Sequence, residues 1–479
     1  MKILASLLPL TLLGASFLPA EAEVRPGETE IVFEAQSGEK AAAYEGRVIV
    51  PENRQNAESR MITLNYVRFP ATGATQGNPI IYLSGGPGGS GIQTAKYERY
   101  PLFMAMREFG DVIAFDQRGT GASNDLPDCT SSHHISATQP TSDQAFFAKQ
   151  RLAFSECLDF WQQEGIDIHG YNTAESVADL DALRAHLGAE KIDLWGISYG
   201  SHLSLAALKQ IDDRLGRVVI TAVEGLDQTV KQPARGDAYF DRLQAAIDTL
   251  PEAKAKYPDV KAMIARVLAQ LETEPLLLDV ATGESEPAPY LLQKRDMQQF
   301  TSALVADPAR VVWILAAYKG LDEGDTGPIT GLLQRAVDPR DTAITLRPMT
   351  YLMDVASGSG ADRRAMLEQQ AETALLGPHM NFSLHLETVN PSLDLGDGFR
   401  TPPVSDVPTL VLSGTLDGRT YPESGQDATA GLSQRQTVLV ENGGHNLFML
   451  SPEITAVIQD FMRGETVDSH TLRVDLPDF

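Results

Sequence analysis

The stretch Ile192-Asp-Leu-Trp-Gly-Ile-Ser-Tyr-Gly200 decides how this chain folds. Residues 192–195 form a short, mostly apolar run, residues 201–209 read as a helix, and Gly196 and Gly200 bracket Ser198 at the junction. A strand that turns sharply into a helix is half of a βαβ unit, and the glycines let the turn form against neighbouring backbone. The Ser198 hydroxyl is then left at the positive end of a helix. Moving outward, the runs at 79–83, 112–115, 218–220 and 409–412 are apolar without alternation, as parallel strands buried on both faces should be. Val177, Leu180, Leu183 and Leu187 recur at helical spacing, with Thr173 placed as a cap. Upstream, residues 47–50 and 61–67 alternate, which predicts an antiparallel edge. The fold class is α/β, a mostly parallel central sheet flanked by helices.

That rhythm stops after residue 222. Helical stretches such as 260–271 and 297–317 follow, separated by Pro- and Gly-rich breaks. A single βαβ crossover needs only about 30 residues, so the surplus is expected to be an inserted, mainly helical cap. The expected division is a leader at 1–22, a first half of the body at 23–222, the cap at 223–404 and a second half of the body at 405–479.

The 479 residues are 43% hydrophobic, with 39 Gly and 28 Pro and no biased tract, which excludes a disordered or fibrous chain. Lys and Arg number 39 against 64 Asp and Glu, a net charge of −25 that repels phosphate backbones and anionic head groups, so no nucleic-acid partner is expected. Lys2, the apolar run at 3–17 and Ala20-Glu-Ala22 have the form of a cleavable secretory signal. No stretch is long and apolar enough for a membrane span. The expected location is therefore secreted or periplasmic. In such an oxidising compartment Cys129 and Cys157 are expected to form a disulfide worth roughly 3 kcal/mol, two separate buried thiols being the alternative. Two cysteines are too few for a four-thiolate metal site, no H-E-x-x-H occurs, and His133-His134 stands in a polar loop without supporting ligands. No metal and no cofactor is expected.

A serine hydroxyl becomes a nucleophile only when a base takes its proton and a carboxylate orients that base. Past the 409–412 run only His445 and His470 remain. His445 follows the apolar 438–440 run, on a loop at a strand end, whereas His470 lies in a polar tail. Asp417 directly follows the 409–412 run. Ser198, Asp417 and His445 thus fall in the chain order and at the strand ends that a Ser-Asp-His triad requires. A tetrahedral intermediate also needs backbone N–H donors for its oxyanion. Tyr199, next after the serine, supplies one, and the loop Leu83-Ser-Gly-Gly-Pro-Gly-Gly-Ser-Gly91 supplies the other, with Gly86 the candidate. A phosphate-binding loop is disfavoured, since no Gly-Lys-Ser/Thr follows and Pro87 removes a donor.

Ser84-Gly-Gly-Pro-Gly-Gly-Ser90, Phe115-Asp-Gln-Arg-Gly-Thr-Gly-Ala-Ser123 and Trp195-Gly-Ile-Ser-Tyr-Gly200 resemble the prolyl aminopeptidase (proline iminopeptidase) family of α/β-hydrolase serine peptidases. Val50-Pro-Glu-Asn-Arg54, Glu224-Gly-Leu-Asp-Gln-Thr229 and Leu412-Ser-Gly-Thr-Leu-Asp417 are similar to its secreted tripeptidyl-aminopeptidase-like branch. The resemblance covers about residues 45–225 and 405–465. It implies release of proline or short peptides from the free N-terminus of a peptide substrate through an acyl-enzyme. Carried over by position, Ser198 is the nucleophile, His445 the base, Asp417 its orienter, and the Gly86 and Tyr199 amides bind the oxyanion. Asp116 and Arg118 support the loop that contains them, and Glu224 is the candidate for holding the substrate amine. Proline-specific relatives usually carry His where this chain has Ser84, and the run after Asp417 departs from the usual pattern. A carboxylesterase with the same triad is the alternative activity, and an inert binding module on the same scaffold is the alternative from another class.

Overall fold

The computed structural model describes residues 24–479 except 75–76, 124–125, 284 and 468–469. The leader expected at 1–22 lies outside the described residues. The chain opens with three antiparallel strands, β1 (Thr29–Glu34), β2 (Lys40–Pro51) and β3 (Met61–Phe69). Then come β4 (Ile80–Leu83), β5 (Val112–Phe115), a separate polar strand β6 (Cys129–His134), β7 (Ile192–Ile197) and β8 (Leu215–Thr221). The inserted region holds β9 (Leu276–Val280), β10 (Ala288–Leu292) and β11 (Ala343–Leu346), after which β12 (Thr409–Gly414), β13 (Arg435–Glu441) and β14 (His470–Arg473) complete the chain.

Ten of these strands form one sheet in the order β1-β2-β3-β5-β4-β7-β8-β12-β13-β14. Pairing is antiparallel as far as β5 and parallel from there on. Every residue of β4, β5 and β7 is buried, which is why these segments read as continuous apolar runs. The polar tail after the last helix does not trail off but returns as β14, parallel to β13. The chain leaves β4 toward β5 on one side and reaches β7 on the other, so the strand order reverses around β4. Such a switch point opens a crevice at the carboxyl ends of the strands, where ligands bind in open α/β sheets.

Two expectations about helices are corrected. The helix that buries Val177, Leu180 and Leu183 starts at Thr173, but the cap is Asn172, whose side chain accepts the Glu175 amide. The apolar stretch at 297–317 is not one helix. It is split into Lys294–Leu304 and Pro308–Glu323, because Pro308 has no N–H to continue a helix and is suited to start one.

Between β8 and β12 no strand among the described residues joins the large sheet. Helices dominate, with β9 and β10 forming a hairpin and β11 pairing antiparallel with β6. The region packs in two ways. Side chains from Tyr239 to Leu333 form their own apolar cluster, which takes in Leu416 and Tyr421 from the acid loop. The Pro348–Ser357 helix instead places Met349, Leu352, Met353 and Val355 in the cluster beneath the sheet, beside Leu203 and Leu180. Cys129 and Cys157 are bonded, joining β6 to the Asp143–Gln163 helix. No helix among the described residues is long and apolar enough to cross a membrane.

Candidate active site

Ser198 caps the Tyr199–Gln210 helix at φ 55° and ψ −123°, a left-handed φ that costs a non-glycine residue about 1–3 kcal/mol and is concentrated at functional sites. The glycines around it explain themselves sterically. A Cβ on Gly200 would lie 2.0 Å from Leu83 O, and one on Gly196 would lie 2.4 Å from Gly200 O. The turn therefore closes only with hydrogen at both positions. Across from it a Cβ on Gly85 would fall 2.9 Å from Ser198 Cβ, which places the glycine-rich loop directly against the serine. Gly86 follows at φ 126°, open only to glycine. Tyr199 begins the helix, so its amide is one of the first-turn donors that no helical carbonyl can accept.

Asp417 is 1% exposed on the loop after β12. Its Oδ1 accepts the amides of Arg419 and Thr420, each at 2.8 Å. Its Oδ2 accepts the Thr420 hydroxyl and lies 2.9 Å from His445 Nδ1. Burial alone would raise this carboxyl, but the facing His445, the Thr420 hydroxyl and the Thr420 amide outweigh it and hold the pKa below the usual range. With Nδ1 turned to the carboxylate, Nε2 is the basic nitrogen left on His445. Ser198 and His445 line one cavity of about 510 Å³, with Ser84, Gly85, Gly86, Arg99 and Arg419 also in its wall.

The break between the helices Lys294–Leu304 and Pro308–Glu323 holds the loops of Asp417 and His445. Val305 O accepts the Gly418 amide at 2.9 Å, and Ala306 O accepts the His445 amide at 2.7 Å. Asp307 Oδ1 accepts the Asn446 amide at 3.1 Å. Ala303 and Ala306 complete that side of the cavity. Nothing in the sequence distinguishes this break except Asp307-Pro308. Thr420 was equally hard to see, its one signal being a hydroxyl residue three positions after an acid at a strand end.

The supports expected in the Asp-Gln-Arg loop are placed as supports. Asp116 Oδ1 accepts the Ser90 hydroxyl at 2.6 Å and the Ile92 amide at 3.0 Å, and Oδ2 accepts the Ala122 amide at 2.8 Å. The loop of Gly86 is thereby tied to β5. Arg118 is fully buried, forked onto Asp179 at 2.7 and 2.8 Å and bonded to Glu52 O at 2.6 Å. Arg54, from the Val50-Pro-Glu-Asn-Arg54 motif, shares Asp179 and also pairs with Glu175.

Glu224, the candidate for holding a substrate amine, is ion-paired within the protein. Its carboxylate pairs with Lys231, whose ammonium also donates to Gln228 O at 3.1 Å, and both residues are buried. It lines a crevice beside Arg363 and Tyr421 that shares Arg419 with the wall of the Ser198 cavity. Burial would raise its pKa, yet Lys231 and His202 keep it lowered. The ionisable side chains that line the Ser198 cavity are Arg99, Arg419 and His445, with no Asp or Glu among the described residues of its wall. Among the described residues no group of three His, Cys, Asp or Glu side chains is placed to hold a metal ion.

Residues 78–452 match the α/β hydrolase fold family. Among curated proteins, serine protease Hip1 of Mycobacterium tuberculosis is 28% identical over 184 residues, 36% of this chain and 35% of that protein. Tripeptidyl aminopeptidase of Streptomyces lividans is 27% identical over 186 residues, 37% of this chain and 35% of that protein. The match thus spans about a third of the length of each relative. The crystal structure of a proline iminopeptidase from Mycobacterium smegmatis aligns over 88% of this chain and 98% of its own at 17% identity, with a TM-score of 0.43.

Proposed function

The chain belongs to the α/β hydrolase fold family, and from that premise we propose that it is a serine peptidase that releases proline or short peptides from peptide N-termini through an acyl-enzyme. The observation that carries this reading is the contact of His445 Nδ1 with Asp417 Oδ2, on the cavity that Ser198 enters at a strained φ. The names of the two curated relatives support peptide over other acyl substrates.

In the proposed reaction Ser198 Oγ attacks the scissile carbonyl while His445 Nε2 takes its proton. Asp417 stabilises the resulting imidazolium, and the amides of Tyr199 and Gly86 receive the oxyanion, each worth about 3 kcal/mol. The C–N bond breaks as His445 returns the proton to the leaving amine. Water, activated by the same His445, then frees the acyl group from Ser198. Residues 223–404 serve as the cap over this site. The Cys129–Cys157 bond supports an oxidising compartment, in keeping with a secreted or periplasmic protein.

For the substrate amine, the geometry favours a structural Glu224 whose counter-ion is Lys231. Glu224→Gln is therefore expected to lower the melting temperature and to leave the preference between free and blocked N-termini unchanged. Loss of that preference in the variant would return Glu224 to the substrate. The activity itself is tested by fluorophosphonate labelling of the wild type and Ser198→Ala, followed by turnover of chromogenic tripeptide and proline amides. Labelling confined to the wild type, with amide turnover, is expected. Ester turnover without amide turnover would make the protein a carboxylesterase, and no labelling of the wild type would leave an inert scaffold.

A further inference from the structure

Charge in the wall of the Ser198 cavity is of one sign. The guanidiniums of Arg99 and Arg419 stand beside the His445 imidazole, with no Asp or Glu among the described residues of the wall. Both arginines are half-buried, and neither forms an ion pair among the described residues. Arg99 Nη1 donates to the Tyr82 hydroxyl and Nη2 to Asn446 Oδ1, and its guanidinium lies 5.4 Å from the ring centres of Tyr82 and Phe448. Arg419 Nη1 donates to Ser302 O at 3.2 Å and to Ser302 Oγ at 3.1 Å. These neutral partners orient the two cations without cancelling their charge.

Arg419 keeps one edge unused. Its Nε and Nη2 make no hydrogen bond within the described protein and are not closed off from solvent. That is the edge by which Arg60 forks onto Glu52 at 2.8 and 2.6 Å, and Arg118 onto Asp179 at 2.7 and 2.8 Å. Paired N–H groups of this kind match the two oxygens of a carboxylate. The Arg419 side chain lines two spaces, the crevice beside Glu224 of about 10 Å³ and the Ser198 cavity of about 510 Å³. The crevice holds one water at most, so a ligand meets Arg419 from the Ser198 side. Two buried carboxyls act on Arg419 at longer range. Glu224 is already paired with Lys231, while burial and then the repulsion of Glu224 push the Asp354 carboxyl well above its usual range, toward its neutral form.

We propose that the Ser198 cavity selects substrates that carry a carboxylate beside the scissile bond, and that Arg419 receives this group through Nε and Nη2. The proposal rests on the hydrolase reading of Ser198 and names its substrate class, an acidic residue on the carbonyl side or an acidic leaving group. Arg99, tied to the neighbour of His445, adds to the same positive field.

The test reads affinity apart from turnover. Ser198→Ala protein is titrated calorimetrically with two pairs of compounds that differ only in a carboxylate against a carboxamide. Alanyl-alanyl-glutamyl and alanyl-alanyl-glutaminyl 4-nitroanilides vary the carbonyl side, and the 4-carboxyanilide and 4-carbamoylanilide of trialanine vary the amine side. In at least one pair the acid is expected to bind roughly tenfold more tightly or better, and kcat/KM of the wild type should follow the same preference. The pair that shows it assigns the side. Arg419→Gln should bring the ratio close to one, and Arg419→Lys should keep part of it. An Arg419 that only supports the fold would weaken acid and amide alike and leave the ratio in place. Equal binding within both pairs, or a ratio unchanged in Arg419→Gln, overturns the proposal. Acid preference without amide turnover by the wild type would uphold it and remove the peptidase reading, whereas amide turnover without the preference would do the reverse.

Discussion

Thr420 places one hydroxyl between Asp417 Oδ2 and His445 Nδ1, donating to the acid and standing 3.2 Å from the imidazole nitrogen. Beside the backbone amides that hold Oδ1, it is the side chain that fixes the second carboxylate oxygen. A hydrogen bond to a charged group contributes about 1.5–3 kcal/mol. Thr420→Val is therefore expected to lower kcat roughly tenfold or more with little change in KM, each tenfold corresponding to about 1.4 kcal/mol. Steady-state rates on a chromogenic amide check this. A matching loss in KM alone would mean that Thr420 touches substrate instead. The lowered Asp417 pKa follows from the same contacts and keeps the acid ionised throughout the working range of a histidine base.

At the scale of elements, β7 shows what burial of a parallel strand does to a charge. Asp193 in this strand is 6% exposed and accepts from Asn78 Nδ2 at 2.9 Å and the Arg217 amide at 2.8 Å. Burial nonetheless pushes its pKa up to about 6 from 3.8. Between those values the unfolded chain has lost the proton and the folded chain still holds it. Stability therefore falls as pH rises from about 4 to 6. Asp193→Asn keeps an acceptor for both donors and removes the ionisation. Melting curves should coincide with wild type at pH 4 and lie higher above pH 6; a variant no more stable at pH 7 would refute the assignment.

The same elements mark what could be read from sequence. β4, β5, β7 and β12 were legible because buried parallel strands are mostly apolar without alternation, and the serine turn, acid loop and histidine loop because each directly follows such a strand. β6 was not, since its exposed alternate residues are polar and its partner β11 lies far along the chain. The break at 305–307 was hidden inside an apolar run that continues on both sides. The pairing of Glu224 with Lys231 was not legible either, because Lys231 sits in a loop, where ion pairs leave no periodic trace.

Over the whole molecule, the described cysteines are all committed to one bond, and that bond anchors β6 to the Asp143–Gln163 helix. Replacing Cys129 and Cys157 together by Ala is expected to cost about 3 kcal/mol, read as a lower urea midpoint at unchanged slope. The serine turn lies in the body and should still label with fluorophosphonate below that midpoint. A double variant as stable as wild type would show that the inserted region alone holds β6 in place.

The break at 305–307 also bears on when the chain becomes active during its synthesis. Its carbonyls emerge from the ribosome more than a hundred residues before the loops of Asp417 and His445 that they hold. Those carbonyls belong to the backbone, so the grip survives any change of side chain at Val305 or Ala306. Ser198 is made first, the carbonyls at 305–306 second, and Asp417 and His445 last. A growing chain thus carries Ser198 without a positioned His445 until the residues through that histidine have been made, and this order of assembly keeps the proposed activity silent until then.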